Sequence, residues 1–166
     1  MAIRVAILTV SDRSARGERP DASGPVLVEA AQQQGWVVVD TRIVADEQEA
    51  IQSVLVEWCQ REDIDLALTT GGTGFAPRDI TPEATLAIIH RAAPGLAEAM
   101  RAESLKLTPH AMLSRGIAGI RGRTLIVNLP GSPKAAAENL RVILSVLPHA
   151  IELLRDSPTS EQGHRK

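Results

Sequence analysis

"LALTTGGTGFAPRDITPEA", residues Leu66–Ala84, joins an apolar run, a glycine-rich turn, an arginine-aspartate pair and a helix start. Leu66–Thr70 is short, apolar and bounded by turn residues, which predicts a buried strand. Thr81-Pro82-Glu83 reads as N-cap, first helical position and first-turn acid. A threonine hydroxyl can accept from the open amides there, and proline's missing N–H is no loss. A strand that passes through glycines into a helix is the opening of a βαβ unit.

The same alternation extends in both directions. Ile3–Val10 is rich in β-branched and apolar residues, broken only by Arg4 and Thr9, and suits a strand buried on both faces. Pro25–Gln34 puts Leu27, Ala30 and Ala31 on one helical face and stops at Gly35, and Trp36–Val44 is the second strand. From Glu47 to Glu62, Ile51, Val54, Leu55, Trp58 and Cys59 form a helical stripe that places Cys59 and Trp58 in the core. The helix from Thr81 is expected to reach about Arg91, with another from Gly95 to Leu107. "IAGIRGRTLIVNL" predicts two strands turning at Arg121-Gly122, the longer being Thr124–Leu129. Ala135–Leu147 and a short helix ending near Leu154 complete the pattern. The expected fold class is α/β: a three-layer domain with a mostly parallel sheet flanked by helices, plus a small β-hairpin. A single domain is expected over residues 1–156, with a mobile polar tail at 157–166.

Composition narrows the function classes. The chain has 166 residues, 44% hydrophobic and 23% charged, with a net charge of −2. This balance gives no basis for bulk binding to nucleic acid or membrane. A lone cysteine permits no intrachain disulfide, and the apolar run after Arg4 is short for a signal peptide, so a cytoplasmic location is expected.

In a parallel sheet, ligands bind beyond the carboxyl ends of the strands. That rule brings Ser11-Asp12, Asp46, Gly71-Gly72-Thr73-Gly74 and Pro130-Gly131-Ser132 to one edge. The glycines can offer backbone amides to a phosphate, or they can simply make a tight turn. Neither common nucleotide fingerprint fits, because no Gly-Lys-Ser/Thr follows and Pro77 stands where a third glycine is needed. Asp79 can serve the adjacent helix start, or it can hold Mg²⁺ with Asp46 and Asp12 sharing the task. Arg78 and Lys134 are placed to neutralise phosphate. The histidines lack metal-ligand spacing, and no Ser-His-Asp elbow occurs.

These segments resemble a known family. "TTGGTGFAPRDITPEAT", "ILTVSDR", "ADEQ", "LSRGIAG" and "LIVNLPGSPKA", all within Ile3–Leu154, are similar to the MogA/MoaB family of molybdenum cofactor biosynthesis proteins. The resemblance implies Mg²⁺- and ATP-dependent adenylylation of molybdopterin, with pyrophosphate released, by a homotrimer or in some members a hexamer. It maps the functional aspartates onto Asp46 and Asp79, which would also serve the metal. It maps the nucleotide and pterin loops onto Ser11–Asp12, Gly71–Gly74 and Pro130–Ser132. The chain departs at Ala45, where a proline is frequent, and keeps the Arg78-Asp79 pair. A module of the same fold that binds molybdopterin without turnover is the alternative, and a nicotinamide oxidoreductase is disfavoured by the missing glycine.

Overall fold

The structure is a computed structural model that describes residues 2–155. The expected domain boundary after residue 156 and the tail at 157–166 lie outside the described residues. Along the chain run β1 (Arg4–Val10), α1 (Asp12–Ala15), α2 (Ser23–Gln33), β2 (Val37–Val44), α3 (Gln48–Gln60), β3 (Leu66–Thr70) and α4 (Thr81–Leu86). Then come β4 (Arg91–Ala92), α5 (Pro94–Leu105), a 3-10 turn (Pro109–Leu113), β5 (Ala118–Arg121), β6 (Thr124–Leu129), α6 (Pro133–Ile143) and α7 (Leu147–Leu154).

The sheet order is β2-β1-β3-β6-β5-β4. β2, β1, β3 and β6 are parallel, and β5 and β4 extend the sheet through antiparallel pairings. The expected α/β class, with its antiparallel β5–β6 hairpin, is what the chain forms. Side chains alternate along β1: Val5 and Ile7 join a core with Leu27, Leu140 and Ile151, while Ala6, Leu8 and Val10 join one with Leu55 and Trp58. That period of two on a sheet covered on both faces produces two cores and three layers. Trp58 is fully buried, with its indole N–H donating to Asp40 Oδ2 at 2.9 Å. Cys59 packs against the same core, and burial pushes its thiol up.

β1 is neighboured by β2 on one side and β3 on the other, so the crossings by α2 and α3 lie on opposite faces. The loops after β1 and β3 therefore diverge, which opens a crevice at their carboxyl ends. One expectation is corrected. The helix from Thr81 ends at Leu86 rather than near Arg91. Ile88 and Ile89 pack against the core, Ile89 lies over Gly119 where a Cβ would not fit, and the His90 amide bonds Ile120 O at 2.8 Å. These contacts turn the chain into strand β4 instead. The polar stretch after β1 also contains a short helix, α1, whose Ser14 amide donates to Ser11 Oγ at 3.2 Å.

Asp65 sews three elements together at the opposite end of the strands. Its carboxylate accepts from the Arg4 amide at 2.8 Å, from Arg4 Nε and Nη2, and from Arg155 just past α7. Burial alone would raise this carboxyl, but the two guanidinium groups overcome that and hold it at about 2. A carboxyl lowered on folding stabilises the native state above the unfolded pKa near 4, and the contribution is lost as pH falls toward the native value. Asp65→Asn is expected to cost about 2–3 kcal/mol at pH 7. Denaturant melts of both proteins between pH 7 and pH 2 should show that deficit shrinking below about pH 4.

Candidate active site at the carboxyl edge of the sheet

Backbone proximity comes first in this site. Gly71 has φ +99°, and a Cβ there would lie 2.3 Å from Val10 O. Gly72 has φ +66°, and a Cβ there would lie 2.3 Å from Thr81 Oγ1 and 3.2 Å from Asp46 Oδ1. Only glycine meets both demands, because a side chain would clash and would strain a left-handed backbone. The Pro130-Gly131 turn closes from the other side: Thr70 Oγ1 donates to Pro130 O at 2.7 Å, and a Cβ on Gly131 would lie 3.2 Å from Gly71 Cα.

Asp12 and Asp46 are locked by a reciprocal exchange. The Asp12 amide donates to Asp46 Oδ2 at 2.8 Å, and the Asp46 amide donates to Asp12 Oδ1 at 2.9 Å. The parallel β1–β2 register, which ends at Val10↔Val44, brings the two positions level. Arg78 then reaches over from the third loop and grips both oxygens of Asp12, Nε to Oδ2 at 2.9 Å and Nη2 to Oδ1 at 2.8 Å. The guanidinium beside Asp12 holds its carboxyl below the usual aspartate range. Asp46 moves the other way. Burial pushes its carboxyl up, the neighbouring charges of Asp12 and Asp79 add to that, and the Asp12 amide and Arg78 oppose it.

Asp79 caps its own turn, accepting from the Ala76 amide on Oδ2 at 2.9 Å. The open amides of α4 receive nothing from it, contrary to one reading of the sequence. Thr81 also departs from the expected cap. It is the first helical residue after Ile80, and its hydroxyl donates to Gly71 O at 2.9 Å. A Cβ on Gly74 would lie 2.9 Å from Asp79 Oδ2, so the two aspartates flank the same glycine turn, Asp46 at Gly72 and Asp79 at Gly74. The Oδ1 atom of each takes no part in these bonds.

A cavity of about 570 Å³ opens here, lined by Ser11, Asp12, Asp46, Gly71, Gly72, Asp79, Gly131 and Ser132. Thr73, Gly74, Arg78 and Pro130 adjoin those residues in the chain. Ser132 caps α6, accepting from the Ala135 amide at 3.4 Å. Lys134 stands apart, 86% exposed and 3.9 Å from Glu138. The cavity also takes in residues the sequence did not single out: Thr9, Arg19, Asp21 and Ser23. Thr9 Oγ1 donates to Asp21 Oδ2 at 2.7 Å, and Asp21 Oδ1 accepts from the Gly24 amide at 3.0 Å. The Asp-x-x-Gly spacing before a helix was the signal available for Asp21, whereas its bond to Thr9 spans the strand-to-helix loop.

Known proteins share this arrangement of segments. The domain family described as "Probable molybdopterin binding domain" matches residues 6–149. The chain belongs to the MogA/MoaB molybdopterin-binding family of molybdenum cofactor biosynthesis. It is 42% identical over 154 residues to a molybdopterin adenylyltransferase of Helicobacter pylori strain J99, covering 92% of this chain and 88% of that one. It is 46% identical to gephyrin of Dictyostelium discoideum over 97% of its own length but spans only 24% of that protein. The crystal structure of the molybdopterin biosynthesis enzyme MoaB from Thermus thermophilus superposes with a TM-score of 0.88 at 53% identity, covering 94% of this chain and 98% of that one. Among the described residues, no helix is long and apolar enough to cross a membrane.

The raised Asp46 carboxyl marks a charge that the fold holds at a cost. A group raised on folding favours the native state below its unfolded pKa and loses that advantage as pH rises through the native value. Asp46→Asn keeps an acceptor for the Asp12 amide and removes the charge. Its thermal midpoint at pH 7 should exceed that of wild type, because the charge that burial disfavours is gone. Calorimetry at about pH 3.5 should show the difference gone; an equal or lower midpoint at pH 7 would mean that the ionised carboxylate is favourable.

Proposed function

We propose that this protein transfers the adenylyl group of ATP to molybdopterin and releases pyrophosphate. The observation that carries the reading is the convergence of Asp46 and Asp79 on the Gly72–Gly74 turn, beside a cavity lined by the ends of four parallel strands. The similarity to the molybdopterin adenylyltransferase of Helicobacter pylori supports it. In this reaction an oxygen of the pterin's terminal phosphate bonds to the α-phosphorus of ATP. The bond from that phosphorus to the bridging oxygen breaks, and its electron pair leaves with pyrophosphate. Positioning and charge neutralisation suffice, so no protein nucleophile is required.

The donor set fits Mg²⁺. Asp46 and Asp79 are hard oxygen donors, each with an oxygen outside the bonds described above, and mutual repulsion helps to raise Asp46. Among the described residues no three such side chains form a metal cage. Magnesium is commonly held by one or two carboxylates, with water and substrate phosphate completing its shell. Bound there, it would neutralise phosphate charge. The glycine turn and the start of α6 at Ser132 supply amides for phosphate oxygens. Arg78 ties the first and third loops through Asp12, and Asp12, with both oxygens committed, braces Asp46.

The assembly we propose is a homotrimer, with a hexamer as the alternative. α5 buries only Ala97 and Met100, and Leu107 and Met112 just beyond it are 70% and 65% exposed. Such apolar surface suits a neighbouring subunit. Light scattering at micromolar concentration should give three times the 17.8 kDa chain mass, and a lone monomer would defeat the proposal.

Asp79→Asn should separate binding from turnover. The amide oxygen can still accept from Ala76, so the turn survives. The variant should fold and bind molybdopterin, while single-turnover pyrophosphate release at saturating Mg²⁺ falls by about 10²–10³. Release at the wild-type rate would reduce Asp79 to a turn cap.

A further inference from the structure

The bonds of the glycine turn are strongly one-sided. Its carbonyls are all engaged: Gly71 O by the Thr81 hydroxyl, Gly72 O by the Thr81 amide at 3.0 Å, Thr73 O by the Arg115 amide at 2.8 Å and Gly74 O by Arg115 Nε at 2.8 Å. The amides that follow these carbonyls, on Gly72, Thr73, Gly74 and Phe75, donate to no group among the described residues. The peptide bonds are trans, so each pinned carbonyl aims the next N–H the opposite way. A run of amides without acceptors, ordered from behind by their carbonyls, is an anion cradle.

Two residues order that cradle, and they differ in kind. Thr81 belongs to the helix that the turn enters, so its two bonds are local. Arg115 arrives from a distant segment and does more. Besides Thr73 and Gly74, its Nη2 takes Asp79 O at 2.6 Å, and the guanidinium also pairs with Glu83 on α4. Its own segment is anchored in turn, because Arg101 Nη1 holds Gly116 O at 2.8 Å and the Ile117 amide donates to Asn128 Oδ1 on β6. One planar fork therefore spans both ends of the loop that carries Arg78 and Asp79.

We propose that Arg115 is the positioning residue of this site: by holding the carbonyls of Gly74 and Asp79 with its guanidinium, beside the main-chain bond to Thr73, it turns the loop's amides toward a phosphate or pyrophosphate group and fixes where Asp79 stands. Because Asp46 and Asp79 flank the turn, the anion that fits is one accompanied by a magnesium ion. The occupant rests on the adenylyl-transfer reading, whereas the ordering of the loop does not. Lysine cannot replace the arginine, since an ammonium group has neither the fork nor the reach to serve carbonyls at both ends.

The test compares wild type with Arg115→Met, Arg115→Lys and Glu83→Gln by amide hydrogen exchange and by calorimetric titration with pyrophosphate plus Mg²⁺. Both Arg115 variants should keep wild-type protection in β1, β3 and β6 while exchange accelerates at the loop's bonded amides, Ala76, Asp79 and Thr81. Both should bind magnesium pyrophosphate about tenfold more weakly or worse, the equivalent of a lost hydrogen bond to a charged group. Glu83→Gln leaves the carbonyl bonds in place and should stay within about threefold of wild type, as expected for a half-exposed ion pair. Unchanged exchange at Ala76, Asp79 and Thr81 overturns the proposal whatever the protein catalyses. Full recovery by Arg115→Lys overturns it too, since charge alone would then suffice. Loss of protection throughout the sheet with unchanged affinity would make Arg115 a general structural residue. If wild type itself fails to bind magnesium pyrophosphate, the occupant is wrong, and exchange alone judges the ordering of the loop.

Discussion

The site depends on how closely three strand ends approach one another at Gly71. The backbone there runs so near Val10 O that a Cβ would sit 2.3 Å away, and the Pro130-Gly131 turn presses on it from the far side. Parallel strands neighbouring one another in the order β1, β3, β6 bring their carboxyl ends to a common edge. Only side-chain-free residues let the loops that follow share that edge without being forced apart. Once they meet, the polar residues at their tips become neighbours: Asp12 and Asp46 from β1 and β2, Asp79 from beyond β3, and Ser132 from beyond β6.

Charge at this edge is distributed unevenly. Asp12 is neutralised by Arg78 and exchanges bonds with the backbone of Asp46, so it is settled as an ion. Asp46 loses more to burial and faces like charges, and its carboxyl is raised accordingly. At the other end of the strands, Asp65 is buried with two arginines and is lowered to about 2. The contrast separates two uses of a buried aspartate. One is fully compensated by the protein and ties elements together. The other lacks full compensation, as a carboxylate reserved for a cationic ligand would.

The differences between expectation and structure share a physical origin. Thr81 has the residue type and position of an N-cap, but its hydroxyl is more useful to Gly71 O, which the tight turn would otherwise leave buried without a donor. Asp79 looks like a helix-start acid and instead caps the turn that begins at Ala76. The helix after Thr81 stops early because Ile88 and Ile89 are claimed by the core and by Gly119. In each case a partner distant in sequence or in an adjoining turn outweighed a local preference.

Much of the site was legible in sequence. Period and punctuation were enough for the α/β alternation, because a strand buried on both faces and a one-sided helix leave different hydrophobic patterns. The rule that ligands sit beyond the strands' carboxyl ends then picked out Ser11-Asp12, Asp46, Gly71–Gly74 and Pro130–Ser132, all of which reach the common edge. Pairing and exposure were decided only by the tertiary structure. The Asp12–Asp46 exchange needs the β1–β2 register, the grip of Arg78 on Asp12 needs the third loop to fold back, and Lys134 turns to solvent despite its place after the last loop. Arg115 stands within the "LSRGIAG" segment, but its role in the loop was hidden for the same reason. It lies 36 residues from Asp79, whose carbonyl it holds, and no sequence period records a bond between a side chain and a distant backbone.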